Sequence, residues 1–377
     1  MKIFDTRQSQ LTDLIVGDIV NIYTCGITPY DSAHVGHAAV YLTFDVLKRR
    51  LNDLGHEVRI IRNITDVDDD ILRKARELKV NYLDLAAGEI FKFERAMEDL
   101  NISKPFSSPR ATSAIANILN LIDQLVQTNK AYEVDGYVYF DVTQSEGYNE
   151  ISHYGVREML DLAAQRGGNP DDPKKRNALD VVLWQPSLQD EPYWDSRYGP
   201  GRPGWHIECV ALAMRESGST TVDIHGGGSD LIFPHHECEN AEALAINSKP
   251  LANYWMHVAM VRYQGEKMSK SLGNLVFIED LIKVYGASVV RLGLLSKHYR
   301  DSYEYADEMM DQAKERLSLY CSSLGARDNG KPLTELRNAL DNDLDTPTAL
   351  KALDDYAASG LSVKSCLDLL GVKIDIE

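Results

Sequence analysis

Two short segments of this 377-residue chain carry side chains suited to phosphate chemistry. In His34-Val35-Gly36-His37, two imidazoles flank a residue with no side chain. A phosphate can therefore approach the backbone while both rings offer donors. In Lys267-Met268-Ser269-Lys270-Ser271, followed by Leu272-Gly273-Asn274, two lysines form a cationic clamp in a glycine-flanked loop. Such a clamp suits charge developing on a transferring phosphoryl or nucleotidyl group. Each also has a plain reading: two surface histidines in a turn, and a solvated Lys/Ser-rich loop. A third segment, Gly226-Gly227-Gly228-Ser229-Asp230, exposes backbone N–H groups against which adenine or ribose can sit. A glycine run is equally a plain turn.

Metal donors are present as well. Cys25, Cys209 (in GWHIEC), His235 and Glu239 offer thiolates, an imidazole and a carboxylate that suit Zn²⁺. His235 and Glu239 are four apart and share a helix face. A cysteine at a strand end is otherwise a small core hydrophobe, and spacing alone does not gather these four. Trp205 reads as a core aromatic or a site residue. Asp66, Asp68, Asp69 and Asp70 read as the solvated acidic start of a helix rather than a metal site, because carboxylates favour helix N-termini.

These residues need elements to position them. Residues 19–23 read as a buried strand. Val40, Phe44, Leu47, Leu51 and Leu54 give a helix one apolar face, with Gly55 ending it in a left-handed cap. Residues 57–61 read as the next strand. This βαβ unit predicts a parallel sheet with ligands at the carboxyl ends of its strands, which puts His34–His37 in the first βα loop. Residues 66–130 read mostly helical, with a break at 104–109. Residues 137–142 read as a strand, and 143–180 as irregular. Residues 180–184 and 221–225 are expected to resume the parallel sheet. A helix is expected to begin near Pro234, 253–263 to form a further strand, and everything after about residue 278 to be helical. No internal repeat is visible.

Composition bounds the reading. There are 40 Lys plus Arg against 57 Asp plus Glu, a net charge of −17, which argues against a uniformly basic nucleic-acid binder. Apolar content of 44% fits an ordinary globular protein and excludes low-complexity or collagen-like classes. Five scattered cysteines argue against a disulfide framework and for a reducing compartment, so a cytoplasmic location is expected. No signal peptide and no membrane span are expected.

The ordered pair His34–His37 and Lys267–Ser271 resembles the signature of class I aminoacyl-tRNA synthetases and their relatives. Cys25-Gly26, residues 204–209 and residues 226–236 (GGGSDLIFPHH) resemble that superfamily's cysteine-activating branch. The resemblance covers nearly the whole chain. It implies an α/β fold: a Rossmann-like class I catalytic domain with a parallel sheet, an inserted connective region and a C-terminal helical domain. The expected divisions are 1–65 and 176–250 for the two catalytic halves, 66–175 for the mostly helical insertion, 251–300 for a stem-contact region with the lysine loop, and 301–377 for the helical bundle.

Two families share this core, cysteinyl-tRNA synthetase and the cysteine ligase of mycothiol biosynthesis. Residues 25–31 (CGITPYD), His37-Ala38-Ala39 and residues 41–45 (YLTFD) are similar to the ligase, and residues 165–170 (QRGGNP) resemble its ERGGDP motif with Gln for Glu and Asn for Asp. Val40 departs from the ligase's Thr near the adenylate. Glu239 is similar to the tRNA enzymes' fourth zinc ligand. Only 106 residues follow the lysine loop, and residues 301–377 hold 8 Lys/Arg against 16 Asp/Glu. Both features favour a small acceptor over tRNA.

The resemblance implies ATP-dependent activation of L-cysteine to cysteinyl-adenylate, then transfer to the amine of a glucosaminyl-inositol. The alternatives are a short-tailed tRNA-charging enzyme and a non-catalytic paralogue that binds nucleotide or cysteine. Intact His34, His37, Lys267 and Lys270 speak against the last. By the same resemblance those four are catalytic. Gly26, Thr28, Gly228, Ser229, Asp230, Val261 and Lys270 contact the adenylate. Cys25, Thr28, Asn63, Thr65 and Trp205 surround cysteine. Cys25, Cys209, His235 and Glu239 hold one Zn²⁺. Mg²⁺ accompanies ATP, and a monomer is expected.

Overall fold

The computed structural model describes residues 1–30, 33–268 and 273–374, without the side chain of Lys267. The chain opens with an antiparallel hairpin, β1 (Lys2–Asp5) and β2 (Gln10–Asp13). β3 (Ile19–Ile27) then leads into α1 (Val35–Asp53) and β4 (Glu57–Ile64). His34, in an extended conformation, caps α1 by accepting from Gly36 N through Nδ1 at 3.1 Å. Phe44, Leu47 and Leu51 of the expected apolar stripe are buried, Val40 is half-buried, and Leu54 is exposed. Gly55 (φ +98°) takes the left-handed turn that ends the helix.

α2 (Asp69–Leu78), capped by Asp68, and α3 (Tyr82–Asp99), capped by Asn81, follow. Next come α4 (Ile115–Gln127), β5 (Ala131–Val134), β6 (Tyr137–Phe140), α5 (Val156–Gln165), β7 (Val181–Pro186) and β8 (Gly201–Pro203). Two expectations fail here. Residues 143–180 contain a regular helix, α5, whose apolar residues Met159 and Ala163 are buried one turn apart. Residues 180–184 do not rejoin the parallel sheet. β7 lies between β6 and β8 in a separate antiparallel sheet of order β5-β6-β7-β8. A short apolar run fits either sheet, and its pairing is decided by neighbours that only the folded chain supplies.

α6 (Trp205–Ser217), β9 (Val222–Gly228), α7 (Glu237–Asn247) and β10 (Ala252–Val258) complete the parallel sheet, of order β10-β9-β3-β4. The helix expected near Pro234 begins at Glu237, after a turn with a cis Phe233–Pro234 bond. The expected strand at 253–263 is two: β10, and β11 (Val261–Tyr263) in a small sheet with β12 (Glu266–Lys267). α8 (Ile278–Tyr285), α9 (Ala287–Leu295), β13 (Tyr303–Glu304), α10 (Asp307–Ser323), α11 (Lys331–Asp341), α12 (Thr346–Ala358) and α13 (Lys364–Leu370) finish the described chain, β13 pairing with β11.

Strand alternation gives the parallel sheet two faces. Val20, Ile22, Val58, Ile60, Ile224 and Met256 pack towards α1 and the C-terminal helices. Tyr23, Cys25, Ile61 and Trp255 pack on the other side, with α4 and α6. Arg291, buried in α9, ties the first side together. It pairs with Asp45 of α1 and donates to the carbonyls of Leu370 (2.7 Å) and Leu100 (2.8 Å). Among the described residues, no helix is long and apolar enough to cross a membrane.

Candidate functional site

The period-2 pattern of the strands explains how distant residues meet. Cys25 of β3 and Asn63 of β4 face α6, which presents Cys209. His225 of β9 faces α7, which presents Glu239 one helical turn after His235. All are buried. The ligand atoms of Cys25, Cys209, His235 and Glu239 lie within 4.8 Å of one another, and so do those of Cys25, His225, His236 and Glu239. The four residues picked out in the sequence are thus brought together. His225 and His236 were missed. The His235-His236 dipeptide and the place of His225 on an inward strand position were the available signals.

Glu239 Oε1 lies 2.8 Å from His235 Nε2, and Glu239 Oε2 lies 2.6 Å from His225 Nε2. Yet His235 Nε2, His225 Nε2 and Glu239 Oε2 have no hydrogen-bond partner among the described residues. Donor atoms this close and not hydrogen-bonded fit a shared cation, and two thiols with imidazole and carboxylate are a Zn²⁺ donor set. Electrostatics point the same way. Burial would raise the Cys209 thiol, but the Cys25 hydrogen bond and His235 bring it down to about 7. Burial would lower His235, but Glu239 and Cys209 raise it to about 10. Burial also opposes ionisation of Glu239, but His235 and His225 hold it well below the usual carboxylate range.

Neighbours orient these groups. His206 Nδ1 lies 2.8 Å from His235 Nδ1, which leaves Nε2 facing Glu239. The Trp205 indole covers His235, with ring centroids 3.8 Å apart. Asn63 donates to Cys209 Sγ (3.5 Å) and to Thr65 Oγ1 (3.2 Å), while its Oδ1 accepts from Gly26 N at 2.7 Å. Position 26 admits only glycine. A Cβ there would sit 1.5 Å from the Asn63 carbonyl oxygen.

At the amino end of α1 the rings of His34 and His37 stack, with centroids 3.9 Å apart. Burial lowers His37 to about 4, so it is neutral in the physiological range. His34 forms a β-bridge with Phe277, Val35 N donates to Val276 O (3.0 Å), and Ile278 N donates to Ala33 O (3.1 Å). The segment after the lysine loop is therefore stitched to the histidine loop. Lys270 and the Lys267 side chain lie outside the described residues.

Gly228 ends β9, with Ser229 and Asp230 in the following turn and Val40 of α1 nearby. Gly226 is needed for packing, since a Cβ there would strike Phe44 and Met256 O. Arg166 donates to the carbonyls of Asp230 and Phe233, a link between the QRGGNP segment and the glycine turn that the sequence did not disclose. Val261 is buried and pairs with Tyr303. Thr28 Oγ1 donates to Asp68 (3.0 Å). The solvated acidic start expected at 66–70 is corrected in part. Asp66 is buried and accepts from Thr112, and Asp68 caps α2, where Asp69 and Asp70 occupy the first turn.

A parallel sheet with a histidine loop at the first helix, and the segment after the lysine loop bridged to it, fits a class I synthetase catalytic fold. The chain belongs to the family of class I (C) tRNA synthetase catalytic domains, which residues 12–315 match. It is 41% identical over 387 residues to a protein of Nakamurella multipartita named L-cysteine:1D-myo-inositol 2-amino-2-deoxy-alpha-D-glucopyranoside ligase, covering 99% of this chain and 95% of that one. Proteins of the same name from Streptosporangium roseum (42%; 96% and 90% covered) and Thermobifida fusca (40%; 100% and 95%) are similar along their length. In fold the chain is similar to methionyl-tRNA synthetase of Mycobacterium tuberculosis in complex with methionyl-adenylate. The TM-score is 0.63 at 18% identity, covering 93% of this chain and 84% of that one.

Proposed function

We propose that this chain activates L-cysteine with ATP to cysteinyl-adenylate and passes the cysteinyl group to the amine of a glucosaminyl-inositol, in the cytoplasm. One observation carries the reading. Two thiols, an imidazole and a carboxylate converge in a chain about 41% identical, end to end, to relatives named as ligases of cysteine to an amino-sugar inositol.

In the first step the cysteine carboxylate attacks the α-phosphorus and pyrophosphate leaves. In the second the acceptor amine attacks the activated carbonyl, an amide forms and AMP leaves. His34 and His37 donate to the phosphates, with the helix N-terminus behind them. Lys267 and Lys270 hold the departing pyrophosphate, and Mg²⁺ arrives with ATP. Gly26, Thr28, Gly228, Ser229, Asp230 and the Val261 backbone line the nucleotide. Trp205, Thr28, Asn63 and Thr65 enclose cysteine. Cys25, Cys209 and His235, with Glu239, would hold zinc, which supplies a thiolate-selective Lewis acid and so separates cysteine from serine. The rest is positioning and electrostatics.

The deciding experiment supplies ATP, cysteine and either glucosaminyl-inositol or tRNA, and identifies the product. An amide of the amino sugar supports this reading. Charging of tRNA without amide overturns it in favour of the second reading, which the family's own description keeps in view.

A further inference from the structure

Glu208 of α6 is a buried polar side chain that the chemistry above leaves unused. It is wholly enclosed, and among the described residues neither carboxylate oxygen has a hydrogen-bond partner. A buried carboxyl without a donor is costly, and native structures rarely keep one without a use. It follows Trp205 by three residues and directly precedes Cys209, on the flank of the helix that carries both. The charged groups facing it are Cys209 of its own helix, Asp68 and Asp66 from the β4–α2 connection, and Arg202 at β8.

Each of those neighbours is already engaged. Asp66 accepts from Thr112 N (3.0 Å) and Oγ1 (2.7 Å). Asp68 accepts from Thr28 Oγ1 (3.0 Å) and Ile71 N (2.9 Å). Arg202 pairs with Glu191 and with Asp69. Glu208 thus lies among carboxylates, facing a cation that is already taken, next to the helix position that presents a thiol to the metal cluster.

We propose that Glu208 receives the α-ammonium group of the amino-acid substrate, with Asp68 as the neighbouring charge. The proposal rests on the reading of this chain as a cysteine-activating enzyme and adds the group that recognises the amine. In cysteine the amine and thiol stand on adjacent carbons. A thiol held among Cys25, Cys209 and His235 therefore leaves the amine within reach of α6. An ammonium brings three donors and suits a pair of carboxyls screened from water.

The test compares cysteine with 3-mercaptopropionate, which lacks only the amine, as ligands competing for adenylate formation in the zinc-loaded protein. The wild-type protein is expected to prefer cysteine by ~10²-fold or more. Glu208→Gln is expected to lose about tenfold or more of that preference, through cysteine alone. Its affinity for 3-mercaptopropionate and its zinc content stay at wild-type levels. Asp68→Asn, which keeps the helix cap, shifts the preference the same way. Wild-type preference in Glu208→Gln overturns the proposal, as does equal loss towards both ligands. Should Glu208→Gln not fold, unchanged preference in Asp68→Asn overturns it. A wild-type protein with no cysteine-dependent pyrophosphate exchange overturns both this inference and the reading beneath it, whereas the other failures leave that reading standing.

Discussion

The indole of Trp205 lies almost flat on the imidazole of His235, with ring planes 15° apart and centroids 3.8 Å apart. One ring belongs to the first turn of α6 and the other to the turn before α7, so the stack joins the two helices that carry Cys209 and Glu239. An aromatic pair of this kind contributes about 0.5–1.5 kcal/mol beyond its buried area. Trp205→Ala is expected to raise the KM for cysteine by about tenfold, the equivalent of ~1.4 kcal/mol, while the KM for ATP stays near wild type. Trp205→Phe restores most of the loss. Steady-state pyrophosphate exchange checks both, and an equal rise in both KM values would refute the assignment.

Removing one thiol breaks the donor set. Cys209→Ser is expected to lose bound zinc on dialysis and to lose cysteine-dependent pyrophosphate exchange with it, because a hydroxyl is a far poorer zinc ligand than a thiolate. Metal analysis of the purified variant is the check. Full zinc occupancy with normal exchange would remove Cys209 from the site.

His37, held at about 4 by burial, carries no charge at neutral pH. The sign is simple: lowering the pH to about 5 does not yet protonate it, so it contributes no inflection to kcat between about pH 5 and 8. In the proposed reaction it serves as a neutral donor. His37→Ala is expected to slow adenylate formation by about 10²–10³, with His37→Asn recovering part of the rate. A pH–rate series on the three proteins tests this.

Arg166 holds the turn that contains Asp230 by donating to the carbonyls of Asp230 and Phe233. Arg166→Met leaves those carbonyls without their donor, at a cost of about 1–3 kcal/mol if they are not rehydrated. The expected outcome is a rise in the KM for ATP larger than the rise for cysteine. The reverse order would place Arg166 on the other subsite.

Asp45 supplies a pH-dependent contribution to stability. Burial would raise its carboxyl, but Arg291 and Arg49 hold it below the ordinary carboxylate value. A depressed folded-state pKa stabilises the protein above the unfolded value of about 3.9, and the gain is lost as pH falls further, through the folded value. Asp45→Asn leaves Arg291 buried without its charge partner and is expected to cost about 3–5 kcal/mol near neutral pH. Denaturant unfolding near neutral pH and again below about pH 4 should show the variant losing less on acidification than the parent.

The parts of this molecule legible from sequence are those set by local pattern. The βαβ unit follows from the period of Phe44, Leu47 and Leu51 between two β-branched runs. What did not follow is pairing. Residues 181–186 suit a central strand by composition and lie in an antiparallel sheet because Tyr139 and Pro203 are their neighbours. The cysteine cluster was gathered by resemblance, not by spacing, since Cys25 and Cys209 meet only through the strand order. The contacts of Arg166 and His225 and the isolation of Glu208 were not legible, because a buried meeting of distant segments leaves no periodic trace.

The bridge between His34 and Phe277 has a consequence for how the protein is made. The cap of α1 is finished by residues from the far side of the sequence, and Arg291 closes on Asp45 from the same late region. A nascent chain that has emerged only as far as β10 holds the strands of the parallel sheet and the thiol cluster, yet it lacks the segment around Phe277 that bonds to the histidine loop. Contacts of such long separation form late and slowly. Ribosome-bound fragments would therefore gain metal affinity well before they gain the ability to turn over ATP, so the order of synthesis keeps an unfinished enzyme from spending nucleotide.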